Sequence, residues 1–94
     1  MLQVWEAFEL KERGTALYCK DEKFDNMTKE EIRNYLSKAN RIKIYDKNLN
    51  EREFQIKDYD VASSISDQIA VAFLIDKPIH NNDLTIPTEA NLLQ

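Results

Sequence analysis

Glycine, cysteine and histidine are almost missing from this 94-residue chain, one of each, and proline occurs twice. The lone glycine, Gly14, excludes phosphate-cradling loops and dinucleotide turns, which need several glycines for backbone amides to approach a phosphate. The lone cysteine, Cys19, cannot close an internal disulfide, which agrees with a reducing compartment. With Cys19 and His80 as the only thiol and imidazole, the chain lacks the three or four ligands of a usual zinc site, so neither a metal nor another cofactor is expected. No uninterrupted apolar run exceeds Ile69–Ile75, far short of the roughly 20 residues of a membrane helix, and no membrane partner is expected. The opening Met1–Glu6 carries no basic region followed by an apolar stretch and a small-residue cleavage site, which predicts a cytoplasmic protein. On that expectation the Asn26-Met27-Thr28 glycosylation pattern has no consequence.

What is present describes a globular chain. It is 43% hydrophobic and 32% charged, with nine aromatic residues, outside the composition of disordered chains. Its length suits one core burying about 60 to 65% of the unfolded surface. The net charge of −4 is unevenly spread. Residues 1–31 hold five positive and eight negative side chains, 32–60 hold seven and five, and 61–94 hold one and four. Acidic flanks therefore enclose a mildly basic middle. Lys, Asn and Ile number nine, eight and nine, a bias that points to an AT-rich gene of a low-GC bacterium, phage or plasmid.

Along the chain, Leu2, Val4, Phe8 and Leu10 alternate with polar residues, interrupted by Glu6. The same stretch can wind as a helix that places Trp5 and Phe8 together, and periodicity does not choose. A turn at Glu12–Thr15 and the run Ala16–Cys19 favour the strand and a hairpin. Thr28-Lys29-Glu30-Glu31 is a capping box, so a helix is predicted over 28–40 with Ile32, Tyr35, Leu36 and Ala39 inward and Asn40 ending it in the left-handed region. Arg41–Tyr45 and Phe54–Lys57 alternate about a turn at Lys47–Glu51, which puts Ile42, Ile44, Phe54 and Ile56 on one core side. Asp60 is a plausible cap for a short second helix near 61–67, feeding a central strand from Gln68 to Ile75. The expected fold is α+β, a small antiparallel sheet of about four to five strands packed against the main helix. Residues 1–77 are read as the domain and 78–94 as a loop-like tail docked on it.

Few residues suggest chemistry. A Cys19–His80 dyad is weighed against a half-buried Cys19 and a loop-borne His80, and the second reading is favoured. Asp58 with Asp60, or Asn82 with Asp83, read as solvated carboxylates and amides rather than a calcium site, because no EF-hand spacing is present. Arg41, Lys43, Tyr45, Lys47, Arg52 and Lys57 mix cations with an aromatic, as a phosphate-gripping hairpin would. Glu51, Glu53 and Asp46 among them suggest a salt-bridged face instead, and no nucleic-acid-binding motif accompanies them. Trp5, Leu49, Leu92 and Leu93 are more apolar than a core of this size requires and are the candidate partner-binding residues. The expectation is a small non-enzymatic interaction protein, regulatory or inhibitory, whose partner is another protein or a second copy of itself. The alternatives are a nucleic-acid accessory protein using the 41–59 hairpin and a small carboxylate-dependent enzyme.

Overall fold

The computed structural model describes residues 1–63 and 68–94. Among these, six strands form the bulk of the fold: β1 (Gln3–Leu10), β2 (Gly14–Lys20), β3 (Arg41–Tyr45), β4 (Glu51–Ser63), β5 (Ile69–Ile75) and β6 (Thr88–Leu93). One helix, α1 (Lys29–Leu36), joins β2 to β3 after a 3-10 turn at Glu22–Asn26. The strands close an antiparallel barrel in the order β1-β2-β5-β4-β3-β6. The protein is thus mostly sheet, with more strands than the four to five expected.

Two hairpins follow from local sequence. Leu10 turns back through Glu12 and Gly14, both at positive φ (64° and 109°), and Arg13 N–H closes the turn on the Leu10 carbonyl at 3.0 Å. The φ of 109° at Gly14 lies where side chains are strained, so glycine suits this position. In the second hairpin Ile42 faces Phe54 and Ile44 faces Arg52, the register that the alternation demands.

Two strands change which of their residues face inward. In β1 the pairing shifts between Val4 and Glu6, and in β4 between Ile56 and Asp58. Each shift adds one residue to one strand and reverses the parity beyond it. Val4 and then Ala7 are buried in β1, while β4 turns Phe54 and Ile56 and then Tyr59 and Val61 toward the core. The apolar face expected of β1 is corrected accordingly. Phe8 points outward at 36% exposed, and Glu6, which broke the sequence pattern, marks the bulge.

The helix begins as expected. Thr28 Oγ1 accepts from Glu31 N–H at 3.1 Å, and Glu31 Oε1 accepts from Thr28 N–H at 3.0 Å. Those bonds, first the one from the Thr28 amide, hold the Glu31 carboxyl below its usual range. It ends earlier than residue 40. Ser37 is its cap, and Asn40 adopts no left-handed conformation. The Asn40 amide donates to Leu93 O at 2.8 Å and its carbonyl accepts from Ile56 N–H at 2.9 Å, so the barrel claims this backbone. Ile32 and Leu36 are buried, while Tyr35 lies at the rim with its ring edge-on to Phe24.

Two further expectations are corrected. Val61–Ser63 belong to β4, with Val61 opposite Val71, instead of opening a second helix. The rest of that helix, 64–67, lies outside the described residues. Within the supposed loop-like tail, Thr88–Leu93 form β6, which pairs with β3 from Ala90 to Leu93 and with β1 at Thr88 and Glu89. Phe24, Ile32 and Leu36 plug one end of the barrel, and Ile79 and Leu84, from the β5–β6 connection, plug the other.

Candidate functional site

Side chains of a barrel strand alternate between the packed interior and the outside, so an outer row is normally polar. β5 breaks this rule. Val71, Phe73 and Ile75 fill the interior, yet the outer-side residues Ala70, Ala72 and Leu74 are apolar too, Ala70 covered within the chain and Ala72 and Leu74 half-buried. A strand that is apolar on both faces is the signature of burial on both faces.

The pairing registers place neighbours in rows across this outer face. One row runs Phe8, Ala16, Leu74, Asp58, and the next runs Glu6, Tyr18, Ala72, Asp60. The β1 bulge adds Trp5, 44% exposed, beside Glu6. Between the rows lies a shallow trough of about 330 Å³ with Ala16 and Ala72 in its floor, Phe8, Leu10 and Leu74 along it, and Asp58, Asp60 and Arg13 at its border. Lys20 lies outside the trough in the next row, opposite Ala70. Its Nζ lies 5.6 Å from the Trp5 ring and 5.9 Å from the Tyr18 ring and donates to Gln68 Oε1 at 3.3 Å. Among the described residues no lysine or arginine pairs with Asp58 or Asp60.

The residues expected to bind a partner are not gathered in one place. Trp5 adjoins the apolar rows, while Leu92 and Leu93 line a separate hollow with Tyr35, Lys38 and Ala39 by the helix. Leu49 stands 81% exposed at positive φ in the β3–β4 turn, near the other end of the barrel. Phe8, Ala72 and Leu74 were missed as surface residues. The signal for Ala72 and Leu74 is the unbroken apolar run Ile69–Ile75, which fits a strand buried on both sides.

The basic hairpin is internally paired. Arg41 meets Glu53 at 3.1 Å, Lys43 meets Glu51 at 3.3 Å, and Arg52 Nε meets Asp46 Oδ2 at 3.1 Å. The Lys43 ammonium is held above its usual range, chiefly by its bond to Glu51. Lys43 also stacks 6.0 Å from the Tyr45 ring, and the Lys47 amide is tied to Asp83 O at 2.7 Å. Lys57 sits exposed at the β4 bulge, apart from the others.

Among the described residues two carboxylates are buried, and both are structurally engaged. Asp46 Oδ1 accepts from Asn48 and Asn50 N–H, each at 2.9 Å, and the Asn50 bond leads the causes that keep its carboxyl below the usual range. Asp21 accepts from Lys23 N–H at 3.1 Å and from the Met1 amine at 3.2 Å, beside a cleft of about 620 Å³ next to the helix. Lys23 Nζ in turn donates to Tyr35 Oη at 2.7 Å, a bond that raises its pKa more than any other contact.

Cys19 and His80 do not meet. Cys19 faces the core, where burial pushes its thiol well up, and an un-ionised thiol is a poor nucleophile. His80 is exposed in the β5–β6 connection, 3.9 Å from Glu9. Asp58 Oδ1 accepts from the Tyr59 amide, Asp83 Oδ2 accepts from the His80 amide, and no cluster of three metal-ligating side chains occurs among the described residues. Nor is any helix among them long and apolar enough to cross a membrane.

No protein-family model matches the chain, and neither a curated protein nor a solved structure matches it.

Proposed function

We propose that this chain is a non-enzymatic interaction protein that regulates or inhibits another protein by binding it on the outer face of β2 and β5. The observation that carries the reading is the two-sided apolar character of β5, whose outward Ala72 and Leu74 stay half-exposed beside Phe8. Apolar side chains set in register beside acids are the composition of an interface centre with a polar rim.

Charge argues for a different protein rather than a second copy. A two-fold axis along the strands would set Asp60 of one copy over Glu6 of the other, and an axis across them would set Asp58 over Asp60. Both put carboxylate on carboxylate, which disfavours pairing. The hairpin gives less support to nucleic-acid binding, since Arg41, Lys43 and Arg52 already face acids. A carboxylate-dependent enzyme has less support again, because Asp21 and Asp46 hold backbone amides in place.

Ala72→Arg tests the proposal, as it fills the trough from outside the core. Tagged wild type, Ala72→Arg and a Lys43→Glu control are expressed in the native host and their bound proteins quantified. A protein held by wild type and the control should fall at least about tenfold with Ala72→Arg, as for the loss of a central anchor. Equal recovery on all three chains contradicts the proposal.

A further inference from the structure

Resting on that reading, we infer that the occupant of the face is an amphipathic α-helix of the partner, laid along β2 and β5 with basic side chains toward Asp58 and Asp60.

The backbone of the face dictates the helix. β2 lies between β1 and β5, and β5 between β2 and β4, so both strands have paired neighbours on each side. A segment resting over them finds no free amide or carbonyl to bond. An extended occupant would leave its own polar backbone unsatisfied against an apolar floor, whereas a helix bonds its backbone internally. The alanines permit the approach. Ala16 is low between Phe8 and Leu74, and Ala72 is low between Tyr18 and Asp60, so a helix ridge fits over the diagonal of the two alanines with Tyr18 and Leu74 on either side of it.

Charge fixes the orientation. Asp58 and Asp60 project from one border of the trough, two residues apart on β4 and so about 7 Å apart along the strand. Residues four apart on a helix rise about 6 Å and share a face. Two basic residues at that spacing meet the two acids while the neighbouring apolar stripe rests on the alanines. The opposite border carries Phe8, which adds apolar contact there, and one acid, Glu6, against the two on β4.

The test uses synthetic peptides of about four helical turns titrated into the full isotope-labelled chain. The first has a leucine and alanine stripe flanked by arginines four residues apart. The second has glutamates for those arginines, and the third is a scramble of the first with equal charge and no stripe. The first peptide should shift the backbone amide signals of Phe8, Ala16, Ala72 and Leu74, and it should bind at least tenfold tighter than the other two. The double variant Asp58→Asn with Asp60→Asn should remove most of that preference while its thermal melt stays near wild type. Equal affinity for the glutamate peptide or the scramble, or shifts confined to the 41–59 hairpin, overturns the inference. If these peptides fail while Ala72→Arg still loses the native partner, the face binds a protein of another shape and only the helix is refuted. Sedimentation that grows with concentration and is abolished by Ala72→Arg would make a second copy the occupant and refute it as well.

Discussion

The outer surfaces of β5 and of the β3–β4 hairpin belong to the same barrel but are finished in opposite ways. On the hairpin, outward Arg41 and Lys43 reach diagonally to Glu53 and Glu51, so the exposed side is charged and self-satisfied. On β5 the outward positions are Ala70, Ala72 and Leu74. The barrel therefore does not require apolar residues outside, because its own hairpin does without them. Ala70 is covered by its own chain, and under the proposed function a second surface pressing on Ala72 and Leu74 accounts for the rest of the difference.

Substitutions at adjacent β5 positions give the largest contrast. Phe73→Ala removes a fully buried ring from the core and should cost about 3 to 5 kcal/mol in urea unfolding. Leu74→Ser, one residue away on the outer side, should cost about 1 kcal/mol or less. Equal costs would mean that the outer row is packed within the chain, and the contrast between the two surfaces would disappear.

A smaller effect separates the buried anchor of the hairpin turn from its exposed pairs. The Asp46 carboxyl is held below its ordinary value of 3.8 by the Asn50 amide first and by Arg52 and the Asn48 amide after it. Its contribution to stability is present above that ordinary value and is lost as pH falls through the lowered value in the folded state. Asp46→Asn should therefore make the stability curve shallower over that acidic window and leave its shape near neutrality unchanged. An unchanged acid limb in urea melts run down the pH scale would show that Asp46 does not anchor the turn. The smallest effect belongs to Arg41→Ala, since both partners of that pair are nearly half exposed. It should shift stability by less than about 1 kcal/mol, and a larger loss in the same melts would show that the hairpin face is a structural element.

Local patterns made part of this legible. The Thr28–Glu31 box starts α1 where it was expected, and Ile42, Ile44 and Phe54 turn inward in the register their alternation implies. Glu6 broke the alternation of β1 because the strand bulges there. Other features depend on distant chain. Thr88–Leu93 carries one buried residue, Ala90, and few strand-forming types, so its conformation comes from pairing with β1 and β3. Asn40 leaves the helix because Leu93 and Ile56 engage its backbone. The candidate face was hidden for the same reason. Ile69–Ile75 announced burial on both sides, but which residues lie outside follows only from the barrel and the two bulges that set its parity. Of the partner-binding candidates singled out in sequence, Trp5 alone borders that face.

The most direct test places a photo-crosslinking amino acid at Leu74 in one chain and at Lys43 in another and irradiates both in the native host. A discrete adduct formed from position 74 and not from position 43 is the predicted result. No adduct from 74, or the same adduct from both, would contradict the assignment of the β2–β5 face as the binding surface.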